Sequence, residues 1–195
     1  MSDIRQLGPV LIAWDDVGET ETRSRAGDRL LADLIRRVAP GADERVARRC
    51  ARCGGHDHGA PRALAAPVAV ALAYAGATIV AAAAHARDAA SLGVDVERGA
   101  AGSVLDDLAP LFAPLPPPDL RGWTRIEAVL KTDGRGLRVP PGELAVSSVA
   151  VDRLPGSALA RVPGRPDAIE VADGPAPEGC VVSVALALPR RGATG

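Results

Sequence analysis

Aromatic side chains are scarce: Trp14, Tyr74, Phe112 and Trp123 make up 2% of the 195 residues. Any core must therefore be built from Ala, Val and Leu, each of which buries little area, and stacking of nucleic-acid bases is excluded as a main activity. A dominant charge is lacking too. The 23 Lys and Arg stand against 24 Asp and Glu, a net charge of -1, so there is no basic footprint for nucleic acid or an anionic membrane. Three cysteines, an odd number, argue against a disulfide framework. No charged-then-apolar leader is visible in Met1 to Gln6, and the apolar run Leu7 to Trp14 stops at Asp15, which predicts a cytoplasmic chain. Lysine is nearly missing. Lys131 is the single lysine among the 23 basic residues.

What is present reads as globular, with 47% hydrophobic and 24% charged residues. The length fits one sizeable domain or two small halves. The longest apolar stretch, Ala65 to Ala84, is built from small residues with Gly76 and Thr78 in its middle. It fits two Val/Ala strands turning at Ala75-Gly76 better than a membrane-spanning helix.

Gly8 to Trp14 reads as a first strand and Ser24 to Val38 as a helix, with Leu30, Leu31, Leu34 and Ile35 at helical spacing. Asp43 to Arg52 is expected to extend the helical region until Cys53-Gly54-Gly55 breaks it. Ser91 to Glu97 reads as a strand, Val94 and Val96 on one face, Asp95 and Glu97 on the other. Gly102 to Phe112 is weakly helical, and the proline run after Ala113 ends it. Asp119 is the expected N-cap of a helix from Leu120 to Lys131 that stops near Gly134 and Gly136. Short strands follow, ending in Cys180 to Leu188. The expected fold is α+β, two similar α/β halves over residues 1–89 and 90–195, each a small antiparallel sheet with a packed helix.

Asp95 and Glu97 lie two apart on a strand, so their side chains leave one face about 6.5 to 7 Å apart, from a rise of ~3.3 Å per residue. Two such like charges repel and are tolerable on a wet edge or with a cation between them, and Asp95 and Glu127 are both expected to be accessible. Oxygen donors of this kind suit Mg²⁺. Glu127 and Lys131 are four apart on the expected helix. They form either an i,i+4 ion pair worth ~0.2 to 0.5 kcal/mol, or a third metal ligand and water-activating base beside a point charge for phosphate.

Gly93-Val94-Asp95-Val96-Glu97, with Trp123-Thr124-Arg125-Ile126-Glu127-Ala128-Val129-Leu130-Lys131 some thirty residues later and then Gly134-Arg135-Gly136-Leu137, resembles the signature of 4'-phosphopantetheinyl transferases. The larger, pseudodimeric, synthase-activating type is the best match. The stretch from Cys50 through Cys53-Gly54-Gly55-His56-Asp57-His58-Gly59-Ala60-Pro61 resembles the Cys-rich Gly-His-Gly-Lys-Pro segment of its actinobacterial-like members.

The resemblance implies two halves related by pseudo-twofold symmetry, with coenzyme A bound between them. It implies Mg²⁺ at Asp95, Glu97 and Glu127, with Glu127 and Lys131 as catalytic residues. A serine of an acyl or peptidyl carrier protein of secondary metabolism would attack the β-phosphorus and release adenosine 3',5'-bisphosphate, with no nucleic acid or membrane involved.

The pattern departs on the cofactor side. Ala71-Leu72-Ala73-Tyr74-Ala75-Gly76 stands where the resemblance expects Ser-x-Ser-His-(Ala/Ser)-Gly, Ala60 replaces the Gly-Lys-Pro lysine, and a phosphate-binding arginine aligns with Asp28 unless it shifts to Arg29. Arg25, Arg29, Arg62 and Tyr74 are the candidates to bind the cofactor in their place. The alternatives are a catalytically degenerate paralogue that binds carriers or synthases, and a metal-dependent phosphohydrolase using the same acids.

Cys50, Cys53, His56 and His58 have zinc-ligand chemistry but not the dozen-residue gap usual between ligand pairs. Leu105, Leu108, Leu111, Phe112 and Leu115 form either core or an apolar patch for a carrier helix, with Arg121 and Arg125 expected beside it.

Overall fold

The apolar residues that mark the first helix by spacing also anchor it. In the computed structural model, which describes residues 3–50, 53–56, 58–99, 107–147 and 153–189, helix α1 spans Arg23–Val38 and buries Leu30, Leu31, Leu34 and Ile35. The Thr22 hydroxyl accepts from Arg25 N at 3.3 Å and caps its first turn. Under it lies a four-stranded antiparallel sheet ordered β1 (Asp3–Leu7), β2 (Val10–Asp16), β6 (Thr78–His85), β5 (Val68–Ala75). The expected hairpin is β5 and β6, with Ala75 opposite Thr78. Strand β1 precedes the first expected strand and pairs with it, Leu7 opposite Val10.

The second helix, α2, spans Leu120–Asp133. Asp119 Oδ1 accepts from Gly122 N at 2.7 Å at its start, and Gly134 at φ 84° ends it. It packs on a second antiparallel sheet ordered β7 (Ser91–Arg98), β11 (Cys180–Ala187), β10 (Ile169–Asp173), β9 (Ala158–Arg161), β8 (Ala145–Ser147). The protein is thus α+β, with antiparallel sheets and a helix on each. Between the helices' sheets lies one shared core in which Val10, Ile12, Val80, Val94, Val96, Val184 and Leu186 meet. No helix among the described residues is long and apolar enough to cross a membrane.

One expectation changes and another is met in part. Of the segment Asp43 to Arg52, the described part, residues 43–50, does not extend a helix: Val46–Arg49 is strand β3, paired with β4 (Ala60–Ala63) as a two-stranded ribbon. Its Ala and Arg residues are good helix formers, but pairing with a distant strand decides. Of the weak helix expected from Gly102 to Phe112, residues 102–106, Leu105 among them, lie outside the described residues; Asp107 and Leu108 are helical, and Ala109–Leu111 is a 3₁₀ turn. Phe112 is buried edge-on against Trp123, centroids 6.1 Å apart, while Leu111 and Leu115 are 41% and 66% exposed.

Candidate metal and phosphate site

Strand β7 divides its side chains as the alternation predicts. Val94 and Val96 enter the core between the sheets, and Asp95 and Glu97 face α2, which carries Glu127 and Lys131 one turn apart. Gly93 lets the helix come down onto the strand, since a Cβ there would strike the Ala128 carbonyl and Thr132. Thr132 Oγ1 spans helix and sheet, donating at hydrogen-bond distance from Ala128 O (2.9 Å) and Ala185 O (3.0 Å).

The expected accessibility of Asp95 and Glu127 is corrected for Asp95. It is buried beneath α2, and its Oδ1 accepts from Lys131 Nζ at 2.6 Å, with 9% of the Asp95 side chain and 37% of the Lys131 side chain exposed. The same Nζ reaches Val94 O at 3.2 Å. Glu97 is half-buried.

The acids perturb one another. Burial pushes the Asp95 carboxyl above the ordinary aspartate range, and Lys131 draws it only part of the way back. Glu97 is raised by burial and by the Asp95 charge, against the Trp123 indole N–H and Lys131. Glu127 is raised by burial, then by Asp95, with Glu97 adding a smaller push and Lys131 opposing. Three carboxylates from two elements therefore share one field with one ammonium. Their oxygens stand wider than a closed ligand cage: among the described residues, only Cys50, Cys53 and His58 bring three donor atoms within 4.8 Å of one another.

Lys131 also lines a cleft of about 340 Å³ between the two sheets. Arg48 and Pro61 of the ribbon form one wall, Ala71, Leu72 and Tyr74 of β5 another, and Leu92 and Gly134 the far side. Tyr74 lies in this cleft, with its hydroxyl 3.5 Å from Arg23 O. Arg62 lines an adjoining groove that also reaches Lys131. Arg25 and Arg29 do not line the cleft, and Arg29 is held on the surface by Asp15 at 3.1 Å and Glu21 at 3.2 Å.

Two further residues of the site were not singled out from the sequence. Arg48 is 11% exposed, lies 2.6 Å from Asp28 Oδ1, and leaves Nη2 without a hydrogen-bond partner. Arginines are so common here that nothing singles it out. Ser183, opposite Asp95 in the β7–β11 register, buries an Oγ without a partner, as Asp95 does its Oδ2. A lone serine in an apolar strand was the available signal. Arg121 and Arg125 are not a free docking surface: both bind Asp173, at 2.6 and 2.7 Å, and tie α2 to β10. No protein-family model matches the chain, and the curated proteins contain no significant relative.

Proposed function

We propose that the protein is a Mg²⁺-dependent 4'-phosphopantetheinyl transferase that carries the phosphopantetheine arm of coenzyme A to a serine of an acyl or peptidyl carrier protein. The single observation behind this reading is that Asp95, Glu97 and Glu127 gather around Lys131, whose side chain also lines the cleft between two helix-backed antiparallel sheets. The two sheets are read as halves related by pseudo-twofold symmetry, with coenzyme A in the cleft.

The donor set fits the cation in kind, and its oxygens, wider apart than a closed cage, would draw in around the ion. Asp95, Glu97 and Glu127 offer hard oxygens, and the buried, unpartnered Asp95 Oδ2 and Ser183 Oγ are atoms that an ion with its waters would satisfy. When bound, Mg²⁺ supplies neutralisation of charge on the diphosphate oxygens. The three carboxylates would hold it. Lys131 presents its ammonium to the diphosphate, and Arg48, on the opposite wall, brings a guanidinium beside the position where Asp28 replaces the arginine that the resemblance expects.

In the reaction, the serine oxygen bonds to the β-phosphorus and the bond to the departing phosphate breaks, its electron pair leaving on adenosine 3',5'-bisphosphate. A water held by Glu127 takes the serine proton. Exposed Leu111 and Leu115 offer apolar contact for a carrier helix.

One observation favours a second reading, a silent paralogue that binds carriers. The β5 wall of the cleft is Val70, Ala71, Leu72 and Tyr74, with no charged side chain. Incubation with coenzyme A, Mg²⁺ and an apo carrier separates the two, with mass spectrometry as readout. The carrier gains one phosphopantetheine arm if the transferase reading holds; an unmodified carrier under conditions where a known transferase loads it would sink that reading.

A further inference from the structure

The loop from β3 to β4 folds back on itself within ten residues. Arg49 pairs with Ala60 at its neck, and Gly59 (φ 103°) permits the closure because a Cβ there would meet Arg49 O at 2.6 Å and Cys50 N at 2.7 Å. Inside the loop, Cys50 N donates to Gly55 O at 2.8 Å and Gly54 N to Cys50 O at 2.9 Å. This turn gathers three side chains. The Cys50 and Cys53 sulfurs and a His58 ring nitrogen all lie within 4.8 Å of one another, and none of the three cysteines of the chain is in a disulfide. His58 Nε2 is 3.3 Å from Cys53 Sγ, and Gly55 N donates toward the same sulfur at 3.4 Å. His56 turns elsewhere, its Nδ1 3.3 Å from Arg48 O.

We infer that Cys50, Cys53 and His58 form a binding site for a zinc-class divalent transition metal ion. A tetrahedral ion with bonds of ~2.3 Å to sulfur and ~2.0–2.1 Å to nitrogen needs donor atoms about 3.5–3.8 Å apart. The Cys53–His58 edge is already close to that, and the remaining separations need little movement. Two thiolates and an imidazole select zinc, cobalt or a similar metal and discriminate against Mg²⁺, so this site is chemically distinct from the carboxylates.

The short spacing that argues against zinc in the sequence is overcome by the ribbon, which closes the loop in place of a long intervening segment. Three protein ligands leave a fourth position for water or another small donor, the pattern of an exchangeable site rather than a sealed one. Binding expels one proton from each thiol that enters as thiolate. The bound ion fixes the ribbon whose Arg48 and Pro61 wall the cleft.

The test is titration of the reduced, metal-free full-length chain with Co²⁺, followed by Zn²⁺, with no coenzyme or carrier present, so its outcome is independent of the transferase reading. One equivalent of Co²⁺ should produce thiolate-to-cobalt charge transfer and the visible bands of four-coordinate cobalt, and Zn²⁺ should bleach both. Cys53→Ser and His58→Ala should each weaken Co²⁺ binding at least tenfold, whereas His56→Ala should leave it unchanged. A second measurement uses only the unaltered chain: Zn²⁺ should slow alkylation of Cys50 and Cys53 at least tenfold and leave Cys180 at its own rate. Absence of the cobalt bands, equal binding by Cys53→Ser, or unprotected thiols in the presence of Zn²⁺ overturns the assignment.

Discussion

Lys131→Met keeps an unbranched stem in place and removes the ammonium, which isolates what that charge does among the three acids. Its Nζ lies 2.6 Å from Asp95 Oδ1, with 9% of the acid and 37% of the lysine side chain exposed. Breaking a fully buried pair costs about 3–5 kcal/mol, and an exposed pair is worth about 0–1 kcal/mol. With Lys131 more than a third exposed, solvent screens the pair, and the expected loss is about 1–2 kcal/mol. For a chain of this size each kcal/mol moves Tm by about 2–4 °C, so thermal denaturation should show a fall of about 2–8 °C.

The pH dependence fixes the cause. Asp95, Glu97 and Glu127 are all raised above their unfolded values. Between those values and the raised ones the native chain holds protons that the unfolded chain has released, so wild-type stability falls as pH rises through that window. Lys131 offsets this loss only where the acids are ionised. The two proteins should therefore separate above the raised pKa values and converge as pH falls into the ordinary carboxylate range. A Tm difference that stays constant with pH would show that lost packing, not lost charge, is responsible.

Gly93→Ala should cost at least about 3 kcal/mol or prevent folding, because the new Cβ meets helix backbone that cannot rotate away; near-wild-type urea denaturation would mean that α2 can lift from β7. Arg48→Ala should weaken coenzyme A binding about tenfold to a hundredfold by calorimetry, the worth of a charge-assisted bond of ~1.5–3 kcal/mol, and unchanged affinity would remove Arg48 from the site. Asp119→Ala should lower stability by about 1 kcal/mol through loss of the α2 cap, with Asp119→Asn retaining most of it in the same denaturation assay.

Elements defined by their own local pattern were legible in the sequence: the hairpin turning at Ala75-Gly76, the helix between Asp119 and Gly134, and the strand that sends valines one way and acids the other. Elements defined by a partner across a loop or elsewhere in the fold were not. Val46–Arg49 has helix-forming composition and becomes a strand because β4 pairs with it. Arg121 and Arg125 look like surface charges until Asp173, some fifty residues away, is brought under them. Burial pushes the Asp173 carboxyl up, but bonds from Arg125 and Arg121 outweigh this and hold it below the usual range. Of the site, the four groups on β7 and α2 were readable from spacing. Arg48 and Ser183 were not, because their importance comes from what lies opposite them in three dimensions. The burial of Asp95 escaped for the same reason: a two-residue alternation shows that a face is shared, not how deeply a helix covers it.

Strand β7 carries acids on one face and Val94 and Val96, part of the seam joining both sheets, on the other. The acidic cluster thus has no separate freedom to breathe: any excursion that reshapes it must pry apart the packing on which the entire molecule depends.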